Sequence, residues 1–328
     1  MDETRNKHSR RAALRRLTAL GCALATPVGW AQGGYPNRPI RLVVTLPAGT
    51  SADVMARFIA ERLTRDLGQP VVVDNRPGAS SIIGAQAVAS APADGYTLLY
   101  GLAPSISLNP HLYRKLPYKA ADFTPIIHLL DVPFVLVVRS DSPFRTVQDL
   151  FSAARARSGR LSYASYGEGS PNHVAVLQML QTAGATMTHV PYKDGGLNDV
   201  LGGQVDCSLE VTAMAMPHIA AGKLRPLVVS AHTRLDRLPE VRTLQEAGLG
   251  TALYSWNGLF APAGTPPEAI ARLAAAMQDI TSRADFRQKV QDFTQVPRGG
   301  TPADFAAFLA KDSQNWGNVV ARGNIRID

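Results

Sequence analysis

A strand, a glycine-bearing loop and the capped start of a helix follow one another twice in this chain, and that repeat narrows the folds open to it. The first copy is Arg41-Leu-Val-Val-Thr-Leu-Pro-Ala-Gly-Thr-Ser-Ala-Asp53, and the second is Leu161-Ser-Tyr-Ala-Ser-Tyr-Gly-Glu-Gly-Ser-Pro-Asn-His173. Each places a hydroxyl where an N-cap belongs: Thr50 with Asp53 three residues on, and Ser170 with Pro171 at the first helical position. A helix start presents unpaired N–H groups and a partial positive charge, which suits an anion. Two such starts, far apart in sequence, point to two lobes closing on one anionic ligand.

The rest of the chain follows the same alternation. Apolar runs at 40–46, 71–73 and 96–100 read as strands, and 52–67 and 81–89 as helices, with Gly68 as a stop. After a strand at 134–138 the pattern restarts. A Thr146-Val-Gln-Asp149 capping box opens a helix, and strands at 161–164, 189–191, 206–210 and 224–230 alternate with helices at 171–183, 197–201 and 213–221. Runs of β-branched residues between helices predict parallel sheets covered on both faces. A strand at 254–261 and helices opening at Thr265 and Thr301 close the chain. With 328 residues the length suits two domains. The expected division is a first lobe from 33–131 and 252–328, discontinuous in sequence, and a second from 132–251. The strands at 134–138 and 254–261 would be paired crossings, and the last two helices would pack on the first lobe.

The first residues stand apart from this pattern. Residues 1–16 are polar and basic, 17–28 are small and apolar, and Gly29-Trp30-Ala31 fits a cleavage site, the order of a secretory signal peptide over 1–31. Ser9-Arg10-Arg11 also suits a twin-arginine signal. Cys22, in Ala19-Leu20-Gly21-Cys22, lacks the aliphatic residue that a lipoprotein signal places three before the cysteine, so lipidation is not expected. The formal charge of +8 includes six Lys/Arg and two Asp/Glu of this leader, leaving 28 minus 24, or +4. No later segment clusters basic residues with aromatics, so nucleic-acid binding has no support. No later apolar run reaches the roughly 20 residues that span a bilayer. The mature chain reads as soluble and exported.

The candidate chemistry is sparse. Cys22 and Cys207 are the only cysteines, and the seven histidines are scattered without metal-ligand spacing, so no metal or cofactor is implied. Ser170 precedes a proline and reads as a cap, with no Gly-x-Ser-x-Gly elbow in the chain. His173, one turn into its helix, faces a cleft or packs; packing is the simpler reading. Asp53 is expected to close a capping box with its charge turned to the backbone. Lys193 and Glu210 at strand ends read equally as ligand contacts or as solvated loop charges. Tyr163, Tyr166, Tyr192 and Trp256 suit pocket walls or core. No catalytic set emerges, and binding is favoured over catalysis.

Several ordered stretches resemble the Bug receptors, the extracytoplasmic solute-binding proteins of tripartite tricarboxylate transporters. They include Tyr35-Pro-Asn-Arg-Pro-Ile-Arg-Leu-Val-Val-Thr-Leu-Pro-Ala-Gly49, Gly68-Gln-Pro-Val-Val-Val-Asp-Asn-Arg-Pro-Gly78, Asp94-Gly-Tyr-Thr-Leu-Leu99 and Asn109-Pro-His-Leu-Tyr-Arg-Lys-Leu-Pro-Tyr118. Later matches are His189-Val-Pro-Tyr-Lys193, Gly202-Gly-Gln-Val-Asp206, Pro217-His-Ile-Ala-Ala-Gly-Lys-Leu-Arg225 and Phe260-Ala-Pro-Ala-Gly-Thr-Pro266. The resemblance implies a type II periplasmic-binding-protein fold: two α/β lobes, two crossing strands and a ligand cleft between them. It implies a non-enzymatic receptor, monomeric, that holds a small organic carboxylate through loop backbone groups, small hydroxyls and water, and delivers it to integral-membrane transporter subunits. A module signalling to a two-component sensor kinase is the alternative. The implied contacts are Leu46, Pro47, Ala48, Gly49, Thr50 and Asp53 in the first loop. In the second they are Ser165, Gly167, Gly169 and Ser170, with Ser105 and Glu210 near the pocket. Three departures from the family pattern fall at the same places: Thr50 for a glycine, a shorter Asp194-Gly195-Gly196 turn, and Leu209-Glu210 for Phe-Asp.

Overall fold

Strands whose every residue is apolar form where both faces of a sheet are covered, and this chain builds two such sheets. The structure is a computed structural model that describes residues 34–327, so the expected leader, with its cleavage site and Cys22, lies outside the described residues. The chain runs β1 (Ile40–Val44), α1 (Ser51–Leu67), β2 (Val71–Asn75), α2 (Ile82–Ala89) and β3 (Thr97–Leu102). A π-helical turn at Pro104–Leu108 and the short α3 (Asn109–Leu112) lead to β4 (Phe123–Val132) and β5 (Phe134–Arg139). Then come α4 (Val147–Ala156), β6 (Ser162–Ser165), α5 (Pro171–Ala183), β7 (Thr188–Pro191), α6 (Leu197–Gly202), β8 (Cys207–Val211), α7 (Thr212–Ala220) and β9 (Leu224–Ser230). The last elements are β10 (Ser255–Pro262), α8 (Pro267–Ser282), α9 (Ala284–Asp292), β11 (Val296–Pro297) and α10 (Pro302–Gly323).

The first sheet has the order β11-β4-β10-β3-β1-β2, and the second β7-β6-β8-β5-β9. Within the first, β1 pairs in parallel with both β2 and β3, while β10 is antiparallel to β3 and β4. Within the second, β6 is parallel to β7 and β8, and β5 is antiparallel to β8 and β9. The two sheets therefore share one plan. In each, a parallel strand (β1 or β6) sits between the two strands that follow it in sequence. The chain winds outward on one side of it and back over to the other, which is the switch point where α/β sheets hold ligands beyond their carboxyl ends. The two copies of the repeat occupy equivalent places.

Burial follows from this plan. Along β5, Leu136 and Val138 join a core with Leu150 of α4, Val176 and Met179 of α5 and Trp316 of α10. Val135 and Val137 face the opposite core with Val200, Ala215 and Met216. In the first sheet, Leu42 and Val44 pack with Met55 and Ile59 of α1 and with Leu273 and Met277 of α8. Val43 meets Val88, Leu99, Phe260 and Phe305 on the other face.

The strands expected as paired crossings lie in different sheets and do not pair with each other. The chain passes between sheets at Pro133 and again over 231–254. The strand at β4 has no clear sequence signal, because it is buried along nearly its whole length and is punctuated by Pro125. Opposite β10 its register shifts, which accommodates a residue without an N–H. The final helix also differs from expectation. Thr301 and Asp304 form a full capping box at its start. Its first turns place Phe305 in the first sheet's core, and its last place Trp316, Val319 and Val320 in the second's. One helix thus spans both lobes. The tail beyond it continues the link, since Ile327 N–H donates to the Leu112 carbonyl at 3.0 Å.

Candidate functional site

The loop after β1 is shaped by its own side chains. Thr50 Oγ1 accepts the Asp53 N–H at 3.3 Å and donates to the Pro47 carbonyl at 2.8 Å. Gly49 takes a φ of +84°, a conformation glycine allows at little cost. Its N–H donates to Asp53 Oδ2 at 2.9 Å, so Asp53 turns to the backbone one residue before the cap. Asp53 is buried and also receives Arg57 Nε and Asn75 Nδ2, at 3.0 and 2.9 Å. Burial acts to raise this carboxyl, but Arg57, the Gly49 N–H and Asn75 outweigh it and hold it below the ordinary carboxylate value. Asn75 Nδ2 also donates to the Leu46 carbonyl at 3.1 Å, tying the loop to β2. Pro47, Ala48 and Gly49 are exposed at the tip. The first-turn N–H groups of Ser51 and Ala52 have no acceptor within the helix.

The loop after β6 is braced by a stack of rings. Ser165 Oγ lies 2.7 Å from His189 Nε2 and 3.1 Å from both the N–H and the carbonyl oxygen of Gly167. Ser170 Oγ caps α5 by accepting the His173 N–H at 3.3 Å. Gly169 N–H donates to His173 Nδ1 at 3.0 Å, which leaves the ring proton on Nε2. The His173 and His189 rings stack with centroids 4.0 Å apart, and Tyr163 stacks on His189 at 5.0 Å. Burial and then the His189 ring push His173 down to about 4, and burial lowers His189 as well. Both rings are therefore neutral near pH 7, as close stacking requires.

Several of the expected contacts have a different role in the structure. The N–H groups of Gly49, Gly167 and Gly169 are already taken by Asp53, Ser165 and His173, and those of Thr50 and Ser170 by the Pro47 and Gly167 carbonyls, so these residues shape the loops. Gly169 is moreover a packing position. A Cβ there would lie 2.2 Å from Ile327 Cδ1 and 3.1 Å from Leu112 Cδ1, which brings the second loop against the first lobe's α3 and the tail. Ser105 is wholly buried, and its hydroxyl accepts the Leu102 N–H at 3.1 Å and donates to the Leu102 carbonyl at 2.7 Å. Trp256 is core: its Nε1–H donates to Asp312 Oδ2 at 2.6 Å among Phe260, Phe305 and Phe308. Lys193 is exposed.

Glu210 is not a solvated loop charge, because it is 0 % exposed at the carboxyl end of β8. Its Oε2 accepts the Tyr166 hydroxyl at 2.9 Å, and Oε1 has no partner. Burial pushes this carboxyl up to about 7 against the Tyr166 and Ser208 hydroxyls, and Asp194 adds to the rise. The departures in the neighbouring turn serve this arrangement. Gly195 and Gly196 (φ +89° and +74°) lie so close to the rings of Tyr166 and Tyr192 that a Cβ on either would stand 2.4 Å from them.

Sequence reasoning missed a third loop. Gly78 is followed by Ala79, Ser80 and Ser81, all at positive φ (46°, 49° and 74°), a strained run for residues other than glycine. It is held by Thr45 Oγ1 donating to Ser81 Oγ at 2.9 Å and by Asn109 Nδ2 donating to the Ser80 carbonyl at 2.9 Å. The start of α2 is pressed against the end of β1, since a Cβ on Gly84 would meet Thr45 Cγ2 at 2.8 Å. The available signal was Gly78 before small polar residues and an apolar run.

Two cavities lie beside these loops or away from them. One of about 630 Å³ is lined by Glu168 and His173 together with Arg114, Asn324 and Arg326. Another of about 600 Å³ lies between residues 233–237 and 288–297 and is lined by none of the expected contacts.

Two α/β lobes on one plan, each presenting a capped helix start beyond the carboxyl end of its central parallel strand, define a two-lobed solute-binding protein. Residues 55–325 match the family described as the tripartite tricarboxylate transporter family receptor, and the chain belongs to that family. It is 35% identical over 295 residues to the protein BugT of Bordetella pertussis, covering 87% of this chain and 89% of that one. Among solved structures it is similar to Rpa4515 of R. palustris with adipate (34% identity, TM-score 0.80, 89% of this chain and 100% of that one). It is also similar to MatC of Rhodopseudomonas palustris with bound malate (30% identity, TM-score 0.75, 87% of this chain and 100% of that one).

Proposed function

We propose that this protein captures a small organic carboxylate outside the cytoplasm and presents it to the membrane subunits of a tripartite tricarboxylate-type transporter. The supporting observation is the equivalence of the two loops. Residues 46–50 and 165–170 follow the central parallel strands of two sheets with the same strand order. Each ends in a hydroxyl-capped helix start, a position suited to a carboxylate. The relatives with adipate and malate point to the same ligand chemistry. On this reading the bulk of 33–131 and 252–328 moves against 132–251 with α10 bridging the two, the exported chain is a monomer, and the acid is returned unchanged. Leu46, Pro47, Ala48, Thr50, Ser165 and Ser170 line the cleft, with Asp53, Gly49, Gly167 and Gly169 holding its walls in shape. Ser105 is assigned to the wall behind it.

A thermal-shift screen of the mature chain against mono-, di- and tricarboxylates, amino acids and aromatic acids, followed by calorimetry of the hits, tests this reading. A stoichiometric complex with a small acid that is recovered unaltered is the expected result. Chemical conversion of the bound acid would overturn the receptor assignment.

A further inference from the structure

Four carboxyl side chains are buried among the described residues, and three have an evident partner. Asp53 is paired with Arg57, Asp131 with Arg298, and Asp312 takes the Trp256 indole N–H. Glu210 differs: its bonded partner is the neutral Tyr166 hydroxyl on Oε2, the Ser208 hydroxyl of its own strand favours the charged form without completing Oε1, and no cation faces it. The groups set against it are Tyr166 from the β6–α5 loop, Asp194 from the β7–α6 turn and Ser208 on its own strand, with apolar Val135 opposite on β5. None carries positive charge. A buried, half-satisfied carboxyl costs stability, and such groups are found where a ligand completes them. A second ligand carboxylate would meet like charge here from Glu210 and Asp194. A protonated nitrogen would supply both the missing donor and the missing charge.

Resting on the carboxylate-receptor reading above, we propose that Glu210 is the specificity-determining residue of the cleft. The ligand is then an amino-bearing carboxylate, with its acid group on the helix starts and its ammonium on Glu210 Oε1. Tyr166, whose hydroxyl bonds Glu210, is itself half-buried. Pairing with an ammonium requires the ionised carboxylate. In the free protein that group holds its proton up to about pH 7, so binding an amino acid at pH 6 expels a proton, and affinity falls as the pH drops below 7. A dicarboxylate would do the opposite: a proton would be taken up, and affinity would fall as the pH rises.

Calorimetry of the mature protein with matched acids tests this: glutamate against glutarate, aspartate against succinate, and γ-aminobutyrate against butyrate. Each pair is titrated at pH 6 and pH 8 in buffers of different ionisation enthalpy. An amino acid that binds at least tenfold tighter than its deaminated partner, with proton release at pH 6, supports the proposal. Glu210→Gln should then weaken the amino acid at least tenfold while glutarate and succinate bind as well as before or more tightly, because the like charge is gone. A deaminated acid that binds as well or better, or proton uptake on binding, overturns it while the receptor reading stands. The wild-type comparison decides the matter even if the variant fails to fold. Failure of every carboxylate to bind would instead sink the receptor reading and the proposal with it.

Discussion

Replacing Glu210 with glutamine should stabilise the unliganded protein at pH 8 and leave it almost unchanged at pH 5. The wild-type carboxyl is wholly buried with a bare Oε1, and burial pushes it up to about 7 from the ordinary 4.5. Below pH 4.5 the folded and unfolded chains both hold the proton, so nothing is lost. Between 4.5 and 7 the unfolded chain gives up its proton while the folded chain keeps it, and stability falls as the pH rises. Above 7 the folded protein bears the full cost of a desolvated carboxylate. At about 1.4 kcal/mol for each tenfold difference in proton affinity, the gap between 4.5 and 7 amounts to about 3 kcal/mol. Glutamine keeps an acceptor for Tyr166 but brings an amide N–H₂ that finds no charged partner, at a cost of about 1–2 kcal/mol. The net expectation is a gain of about 1–2 kcal/mol at pH 8 and none, or a small loss, at pH 5. Urea unfolding of both proteins at the two pH values measures this from the midpoints, with m unchanged. A variant-minus-wild-type difference that is the same at both pH values would refute the reasoning, because it would mean that Glu210 titrates as an ordinary exposed carboxyl.

Thr50→Ala removes the cap of α1 and should cost about 1 kcal/mol in thermal unfolding, together with weaker ligand binding; unchanged binding would remove the first helix start from the site. Gly169→Ala places a Cβ 2.2 Å from Ile327 Cδ1 at a φ of +69°, and should cost about 2 kcal/mol while releasing the tail to carboxypeptidase. Equal trimming of variant and wild type would count against that packing. Trp256→Phe strips Asp312 Oδ2 of its donor. Burial already raises Asp312 to about 6, so the loss should be about 1–3 kcal/mol at pH 7.5 and smaller at pH 5, where the carboxyl is protonated. A loss that grew as the pH fell would show that the indole N–H is not what Asp312 depends on.

What the sequence determined on its own is local. Thr50, Thr146, Ser170 and Thr301 each cap a helix as their spacing predicts, and Gly68 ends its helix in the left-handed conformation. A cap is a bond across three residues, so it can be read without knowing anything of the partner lobe. The strand–helix alternation and the family resemblance likewise carried the two-lobe α/β fold. The antiparallel places of β5 and β10 and the whole of β4 were not legible, because strands buried on both faces lose the alternation that marks a strand.

Only the tertiary structure decided the chemistry of the site. Whether the Gly169 N–H faces a ligand or His173 depends on how α5 docks on β7, and the stacked rings of His173 and His189 settle it. Whether Glu210 is solvated or sealed depends on the Tyr166 ring closing over it, which Gly195 permits by having no Cβ. Whether the last helix belongs to one lobe depends on where Phe305 and Trp316 find apolar neighbours, and they find them in different cores. The physical reason is the same in each case. Burial and desolvation are set by residues distant in sequence, whereas a helix start carries its own donors and its own cap.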